Sequence, residues 1–202
     1  MTEDAMITAL LVANFSIAAG LVCPMSGEAI KAGSKALDVN GVRYRFCCDS
    51  CTGSFQKDPS AAIKKAKDNK WLAGVSVFDP VSGKRLSPEN AKGGFSDFEG
   101  VRFAFTSAEN KSAFDADPKL YGRIPTKGCT ICPVMGHELS ASYMAPSFVD
   151  FEDVRYFACC EQCVPRLKAN PKQFAATSAS KVGAPRAYEV PAAWQKMTGP
   201  GL

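Results

Sequence analysis

Two short cysteine-rich turns constrain this chain more than any other feature of its sequence. Residues 46–51 read FCCDSC and residues 158–163 read ACCEQC. Each turn follows a run of aromatic and β-branched residues that is typical of a β-strand. A strand that ends in three thiols leaves two interpretations, because the sulfurs either bind a metal ion or bind each other.

The cysteine turns belong to a longer pattern that occurs three times, at a spacing of roughly fifty residues. Each copy starts with a Pro-Gly motif, continues with an aromatic strand-like segment and ends near an Asp-Pro or Asn-Pro pair. The opening motifs are CPMSG at 23–27, DPVSG at 79–83 and CPVMG at 132–136, and the endings are FQKDP at 55–59, FDADP at 114–118 and LKANP at 167–171. The sequence therefore predicts three tandem units, at residues 21–72, 73–124 and 125–176.

The local pattern of each unit predicts an α+β fold. A tight knuckle at the Pro-Gly motif precedes a variable loop, a short β-hairpin or sheet, and short helices. In the first unit the helices are expected at 51–57 and 60–69, and the first of them ends near the Asp-Pro pair. Units this small bury little apolar surface, so they usually need a metal ion, a disulfide or neighbouring units.

The two ends of the chain carry different patterns. Residues 1–20 contain an apolar segment with small residues at its end, which predicts a signal peptide, a mature chain that begins near Ala19 or Leu21, and export to the periplasm or the extracellular space. Acidic residues precede this segment where lysine or arginine is expected, so a cytoplasmic protein with a buried first element is the alternative. The segment is too short and too polar for a transmembrane helix, and no membrane insertion of the mature chain is expected. Residues 177–202 predict an extended tail that Trp194 docks onto a unit.

The spacing of the cysteines favours metal binding. Two thiolates four residues apart at a strand-to-helix turn can converge on one ion, and a helix N-terminus stabilises thiolate. A third thiol comes from the knuckle. A disulfide such as Cys23–Cys51 remains the alternative if the chain is exported. The six candidate ligands are Cys23, Cys47 and Cys51 in the first unit and Cys132, Cys159 and Cys163 in the third.

The middle unit lacks all three thiols. Asp79, Thr106 and Asn110 stand at the aligned positions. Hard oxygen and amide groups do not replace thiolates as ligands of soft metals. The middle unit is therefore predicted to be a structural spacer, and the chain is expected to bind about two metal ions.

The succession of motifs resembles a known family. CPxxG, an aromatic strand, FCCxxC, a phenylalanine and Asp-Pro are similar to the YHS and TRASH domains, and DPVSG resembles the DPVCG opening of many YHS domains. The resemblance covers about residues 22–176. It implies treble-clef-like modules that bind Zn²⁺ or Cu(I) in heavy-metal trafficking, resistance or sensing. It also implies a partner such as a metal-transporting ATPase or another metal-handling protein.

The resemblance leaves the fourth ligand open. A related ribosomal zinc module carries a second cysteine in the knuckle, where this chain has serine in two units and methionine in the third. Four thiolates favour Zn²⁺, whereas three thiolates, or thiolates with a thioether, favour Cu(I). The third unit has more sulfur nearby and is expected to bind its ion more tightly. The less certain ligands are Cys48 in the first unit and Cys129, Met135 and Cys160 in the third. Cys48 and Cys160 are alternatively core residues, and Met25 and Met135 are more often core residues than ligands. His137, next to the knuckle, is more often a surface or hydrogen-bonding residue than a ligand.

Composition narrows the function classes. A single histidine excludes sites built from several imidazoles, and a net charge of +4 does not favour nucleic-acid binding. No Gly-rich phosphate loop or Ser/His/Asp set indicates an enzyme, and a thiol–disulfide enzyme lacks the expected Cys-x-x-Cys on a βαβ unit. A non-enzymatic metal-binding protein is predicted. The alternative is a protein-interaction scaffold whose units are held by structural zinc or by disulfides.

Overall fold

Antiparallel β-hairpins followed by short helices make up most of the chain, as in an α+β fold. The computed structural model describes residues 20–30, 33–139 and 144–195. This part of the chain contains two β-sheets and seven α-helices, which confirms the predicted α+β class. Residues 1–19, which include nearly all of the predicted signal segment, lie outside the described residues.

A β-hairpin followed by two helices occurs three times. The first unit contains β1 (Ala36–Val39), β2 (Val42–Arg45), α1 (Asp49–Lys57) and α2 (Pro59–Asp68). The second contains β3 (Gly74–Ser76), β4 (Phe95–Phe98), β5 (Val101–Ala104), α3 (Ala108–Ala116) and α4 (Pro118–Tyr121). The third contains β6 (Lys127–Cys129), β7 (Ser147–Phe151), β8 (Val154–Ala158), α5 (Cys163–Ala169) and α6 (Pro171–Ser178). A 3-10 helix (Ala179–Lys181), β9 (Val182–Gly183), β10 (Ala187–Glu189) and α7 (Ala192–Gln195) follow.

Three knuckles of the same geometry precede the hairpins. In each, the first residue donates its backbone N–H to the carbonyl five residues later and accepts the N–H of the glycine four residues later, with N···O distances of 2.8–2.9 Å. The glycines have φ between 71° and 75°, a left-handed conformation that favours glycine over residues with a Cβ. The first residues are Cys23, Asp79 and Cys132, and the glycines are Gly27, Gly83 and Gly136.

Each hairpin carries an aspartate–arginine pair that sequence analysis missed. The arginine on the second strand donates two hydrogen bonds to the aspartate five residues earlier, with N···O distances of 2.7–3.0 Å. In the first hairpin both side chains are buried, with 1% and 0% of their surface exposed. The signal was present in the sequence as Asp-x-x-x-x-Arg at the same place in each unit. The pairs are Asp38–Arg43, Asp97–Arg102 and Asp150–Arg155.

The first two units share one sheet, and the third unit builds a second one. The six-stranded sheet has the order β10-β1-β2-β3-β5-β4, so that β3 joins the hairpin of the first unit to that of the second. The four-stranded sheet has the order β7-β8-β6-β9. Arg155 donates from Nη1 to the carbonyl of Asn40, at 2.8 Å, and so connects the third hairpin to the turn of the first.

The C-terminal segment is more structured than the predicted extended tail. Helix α6 continues to Ser178, β9 pairs with β6, and β10 pairs with β1, so the segment adds one strand to each sheet. The expected docking through Trp194 is confirmed. Arg43 donates a hydrogen bond to the backbone carbonyl of Trp194 at 3.2 Å, and the Arg85 guanidinium lies 5.8 Å from the centre of the Trp194 ring.

The hydrophobic core explains the phenylalanine of the Phe-x-x-Asp-Pro motif. Phe55 packs against Tyr44 and Phe46 with ring centres 5.1 Å apart in both pairs, and it is fully buried. Phe114 has the same role in the second unit, and the two rings belong to one core cluster. Leu167 occupies that place in the third unit. Within the described residues, no helix has the length and apolarity needed to span a membrane.

Candidate metal centre

The first cysteine set lies where the knuckle meets the strand-to-helix turn. Cys47 lies two residues after the end of β2, and Cys51 lies four residues later on α1, so both thiols face the same side. Cys23 approaches from the knuckle. The three sulfur atoms lie within 4.8 Å of one another, and Cys47 Sγ is 3.6 Å from Cys51 Sγ. Cys23 and Cys47 are buried and Cys51 is partly exposed.

The second cysteine set repeats this arrangement in the third unit. The sulfurs of Cys132, Cys159 and Cys163 lie within 4.8 Å of one another, and Cys159 Sγ is 3.8 Å from Cys163 Sγ. Cys132 and Cys163 are buried and Cys159 is partly exposed. Helix α5 begins at Cys163 itself, whereas α1 begins two residues before Cys51.

The sulfur separations match a metal site. Thiolates bound tetrahedrally to an ion at about 2.3 Å lie about 3.8 Å from each other. A disulfide requires about 2.05 Å. The observed distances of 3.6 Å and 3.8 Å agree with the first value, and all nine cysteines are free thiols. Each cysteine set could therefore hold one metal ion.

Backbone amides of the knuckle stabilise one thiolate in the first set. Burial raises the pKa of Cys23, but hydrogen bonds from the backbone N–H groups of Cys47, Met25 and Ser26 outweigh this effect and leave its pKa below the usual value. Burial and the neighbouring thiols raise the pKa of Cys51. Within the set, the knuckle sulfur is therefore the one that loses its proton most readily without a cation.

The second set has the same electrostatic asymmetry. Burial raises the pKa of Cys132, but the backbone N–H groups of Cys159, Met135 and Val134 lower it further than burial raises it. Burial and the adjacent Cys132 raise the pKa of Cys159 to about 11, and burial also raises that of Cys163. Two of the three thiols are therefore protonated at neutral pH unless an ion binds.

Binding of an ion is expected to release at least about two protons per site at pH 7, because thiols must lose their protons to become ligands. The raised pKa values of Cys51, Cys159 and Cys163 set the sign, so that affinity increases as the pH rises. Calorimetric titration with Zn²⁺ in buffers of different ionisation enthalpy measures the number of protons. Binding without proton release, or with affinity independent of pH, would contradict the assignment of these thiols as ligands.

The less certain ligands occupy different places. Cys48 is exposed, so its interpretation as a core residue is wrong, and its sulfur lies 3.8 Å from Cys47 Sγ. Cys160 is partly exposed, and its sulfur lies 3.2 Å from Cys163 Sγ. Both thiols therefore contact a cysteine set from outside.

Other sulfur atoms of the third unit are less well placed than the sequence suggested. Cys129 is buried in a cluster with Val154 and Tyr156 and does not belong to the mutually close set. Met135 is 50% exposed. His137 is exposed and uses its backbone carbonyl to accept the N–H of Cys132. Cys129 therefore gives no support to the expectation that the third unit binds its ion more tightly.

In the middle unit a carboxylate takes the place of the metal site. Asp79 is fully buried, and its Oδ2 accepts hydrogen bonds from the backbone N–H of Thr106 at 2.8 Å, from Thr106 Oγ1 at 2.6 Å and from Asn110 Nδ2 at 2.7 Å. Its Oδ1 accepts from the backbone N–H groups of Val81 at 2.9 Å and Ser82 at 3.1 Å. The three residues that the sequence indicated as lost ligands are therefore bonded to each other.

The amides that surround Asp79 correspond to those around Cys23. Val81, Ser82 and Thr106 align with the three residues whose N–H groups stabilise the knuckle thiolate. Burial raises the pKa of Asp79, but hydrogen bonds from the side chain and backbone of Thr106, from Asn110 and from the backbone of Ser82 lower it more, so the carboxylate stays ionised at neutral pH. Backbone N–H groups at the same positions thus donate to a thiolate in the first unit and to a carboxylate in the second.

Comparison of the chain with families of known proteins, with curated proteins and with solved structures finds no match. The geometry of the two cysteine sets and of the Asp79 cluster is therefore the basis for a functional conclusion.

Proposed function

We propose that the protein binds two soft transition-metal ions, Zn²⁺ or Cu(I), one in each cysteine set, and serves in metal trafficking, resistance or sensing without catalysing a reaction. The observation that carries this proposal is the convergence of three thiols, within 4.8 Å of one another, at the same place in two units. Three sulfur ligands are the donor type that both ions prefer.

The fold proposed for the three units is the treble-clef-like YHS/TRASH module. Support comes from the repeated order of knuckle, hairpin and helices, with the knuckle and the strand-to-helix turn supplying the candidate ligands. The first and third units would hold the ions and the middle unit would act as a spacer.

The Asp79 cluster favours metal handling over the alternative of a scaffold with purely structural zinc. The middle unit keeps the same knuckle and hairpin with a buried carboxylate at the centre of five hydrogen bonds. This framework therefore does not require a metal ion. The three thiols in each outer unit can bind a soft metal ion, which the carboxylate cluster is not suited to do.

An incomplete ligand set also favours exchange with a partner. Three sulfurs leave a position open on a four-coordinate ion, as sites that react or exchange do. Ser26 stands at the knuckle position that holds cysteine in the related ribosomal module, and its Oγ lies 3.4 Å from Cys47 Sγ. A metal-transporting ATPase or another metal-handling protein is the proposed partner. Export through the N-terminal apolar segment would place both sites outside the cytoplasm.

Exchange under native conditions distinguishes metal handling from a structural role. The protein, loaded with Zn²⁺, is mixed with a chromophoric chelator, and the rate of metal loss is compared with the rate of global unfolding. We expect metal to leave far faster than the protein unfolds. Metal loss limited by unfolding would support the scaffold, and no uptake of Zn²⁺ or Cu(I) by the reduced protein would contradict metal binding altogether.

A further inference from the structure

Each cysteine set is contacted by a fourth thiol that lies immediately after the second candidate ligand. Cys48 Sγ lies 3.8 Å from Cys47 Sγ, and Cys160 Sγ lies 3.2 Å from Cys163 Sγ. Neither belongs to the set of three mutually close sulfurs. The same arrangement recurs in two units, which indicates a common role.

The middle unit shows what this position does in the absence of a metal site. Ser107 aligns with Cys48 and caps helix α3, since its Oγ accepts the backbone N–H of Asn110 at 3.3 Å. Cys48 stands at the N-terminus of α1 with nearly the same backbone angles, φ −158° and ψ 166° against φ −148° and ψ 163°. Its side chain makes no capping hydrogen bond. Serine is the better capping residue here, so the thiol has no advantage for the helix.

The exposure of the thiols determines which of them an incoming ligand can reach. Two thiols of each set are buried, whereas Cys48 is exposed and Cys160 is partly exposed. Cys23 and Cys47 are buried, so the thiols through which an incoming ligand would meet the first set are the exposed Cys48 and the partly exposed Cys51. Cys48 is therefore the most exposed sulfur in contact with the first set.

We propose that Cys48 and Cys160 are relay thiols, through which a metal ion passes between the cysteine set and an external acceptor. This inference rests on the proposed metal-handling function. In the outward step the relay thiol loses its proton to solvent and forms one metal–sulfur bond while a set thiolate releases one and takes up a proton. The acceptor then replaces the remaining protein sulfurs one at a time. The oxidation state of the metal stays constant, each metal–ligand bond that breaks is replaced by one that forms, and each released thiolate takes up a proton.

The relay role predicts a change in rate without a change in stoichiometry. Cys48→Ser and Cys160→Ser are each loaded with Zn²⁺, and transfer to a chromophoric chelator is followed by stopped flow alongside an equilibrium competition titration. We expect two ions bound in each variant, with affinity within about threefold of the original protein, and a transfer rate from the altered site at least about tenfold lower, because an interaction made only during exchange is lost.

Control variants separate the thiol from its surroundings. Ser54→Ala removes a hydroxyl from an exposed position on the same helix and keeps the Cys48 thiol and its contact with Ser50 Oγ at 3.1 Å, so its transfer rate should be unchanged. Cys48→Ser is expected to fold normally because Ser107 occupies this position in the middle unit.

Three outcomes would overturn the proposal in distinguishable ways. Unchanged transfer rates in both cysteine variants would make these thiols bystanders while leaving metal handling intact. Loss of one bound ion would make the altered cysteine a permanent ligand. An original protein that binds no Zn²⁺ would remove the proposed function and the relay together.

Discussion

Replacing Cys163 with serine is expected to remove one of two bound metal ions. Cys163 is 2% exposed, and its sulfur lies 3.8 Å from Cys159 Sγ and within 4.8 Å of Cys132 Sγ. Removal of a direct ligand should lower affinity by at least about a hundredfold, which exceeds the effect of altering residues that only orient ligands. Elemental analysis of the reduced, gel-filtered protein measures the loss.

The Cys163→Ser variant should lose only the part of the stability that metal binding in the third unit contributes. The original protein is expected to melt at a lower temperature when a chelator removes its ions, because a ligand that binds the folded state stabilises it. The variant should lose the part of this shift that belongs to the third unit. Cys51→Ser should give the corresponding result in the first unit.

Cys129→Ala provides a matched control for a buried cysteine outside the sets. Cys129 is 5% exposed and packs in a different cluster from Cys132. This variant should keep two metal ions. Two ions retained by both Cys51→Ser and Cys163→Ser, or one lost by Cys129→Ala, would contradict the ligand assignment.

Replacing Asp79 with alanine is expected to destabilise the fold by about 3–5 kcal/mol, the cost typical of breaking a buried charged network. The carboxylate is fully buried and accepts five hydrogen bonds, and its removal leaves donors from the knuckle and from Thr106 and Asn110 without an acceptor. Denaturant unfolding of the metal-free protein measures the loss. The number of bound ions should remain two, since Asp79 is not a proposed ligand.

An exposed aspartate controls for the general effect of removing a carboxylate. Asp115 accepts from Lys111 and Ser96 at the surface, and Asp115→Ala should cost no more than about 1 kcal/mol. An Asp79→Ala variant as stable as Asp115→Ala would show that the cluster does not hold the middle unit together.

The Asp79 cluster also sets a pH dependence. The pKa of Asp79 in the folded state lies below the usual carboxyl value. Its contribution to folding stability is therefore fully present above about pH 4 and is lost as the pH falls through the folded-state pKa. The metal sites lose their ions at higher pH, because protons compete for the thiolates. Acid titration should therefore release metal first and unfold the middle unit afterwards.

Local patterns in the sequence predicted much of this structure. The helices expected at 51–57 and 60–69 are α1 at Asp49–Lys57 and α2 at Pro59–Asp68. The Asp-Pro pairs locate the helix boundary because Asp58 accepts the N–H of Ala61 and proline occupies the first helical position. The cysteine sets were predictable for the same reason, since spacing along a helix and alignment of repeated motifs bring the thiols together.

Pairing between distant segments was not predictable in the same way. The sequence does not specify that β3 lies between β2 and β5, or that β10 adds to β1, because short strands have weak registers and their partners are chosen by the completed core. The bonding of Asp79 to Thr106 and Asn110 could have been inferred, since the alignment already placed them where the thiols meet. The Asp-x-x-x-x-Arg pairs could have been found from their recurrence alone.

The most direct test of the account is the number of ions bound by the freshly reduced protein, measured by native mass spectrometry after titration with Zn²⁺ or Cu(I). We expect two ions per chain in the original protein and one ion in each of Cys51→Ser and Cys163→Ser. The absence of bound metal, a third ion, or cysteines that are linked as disulfides in freshly isolated protein would contradict it.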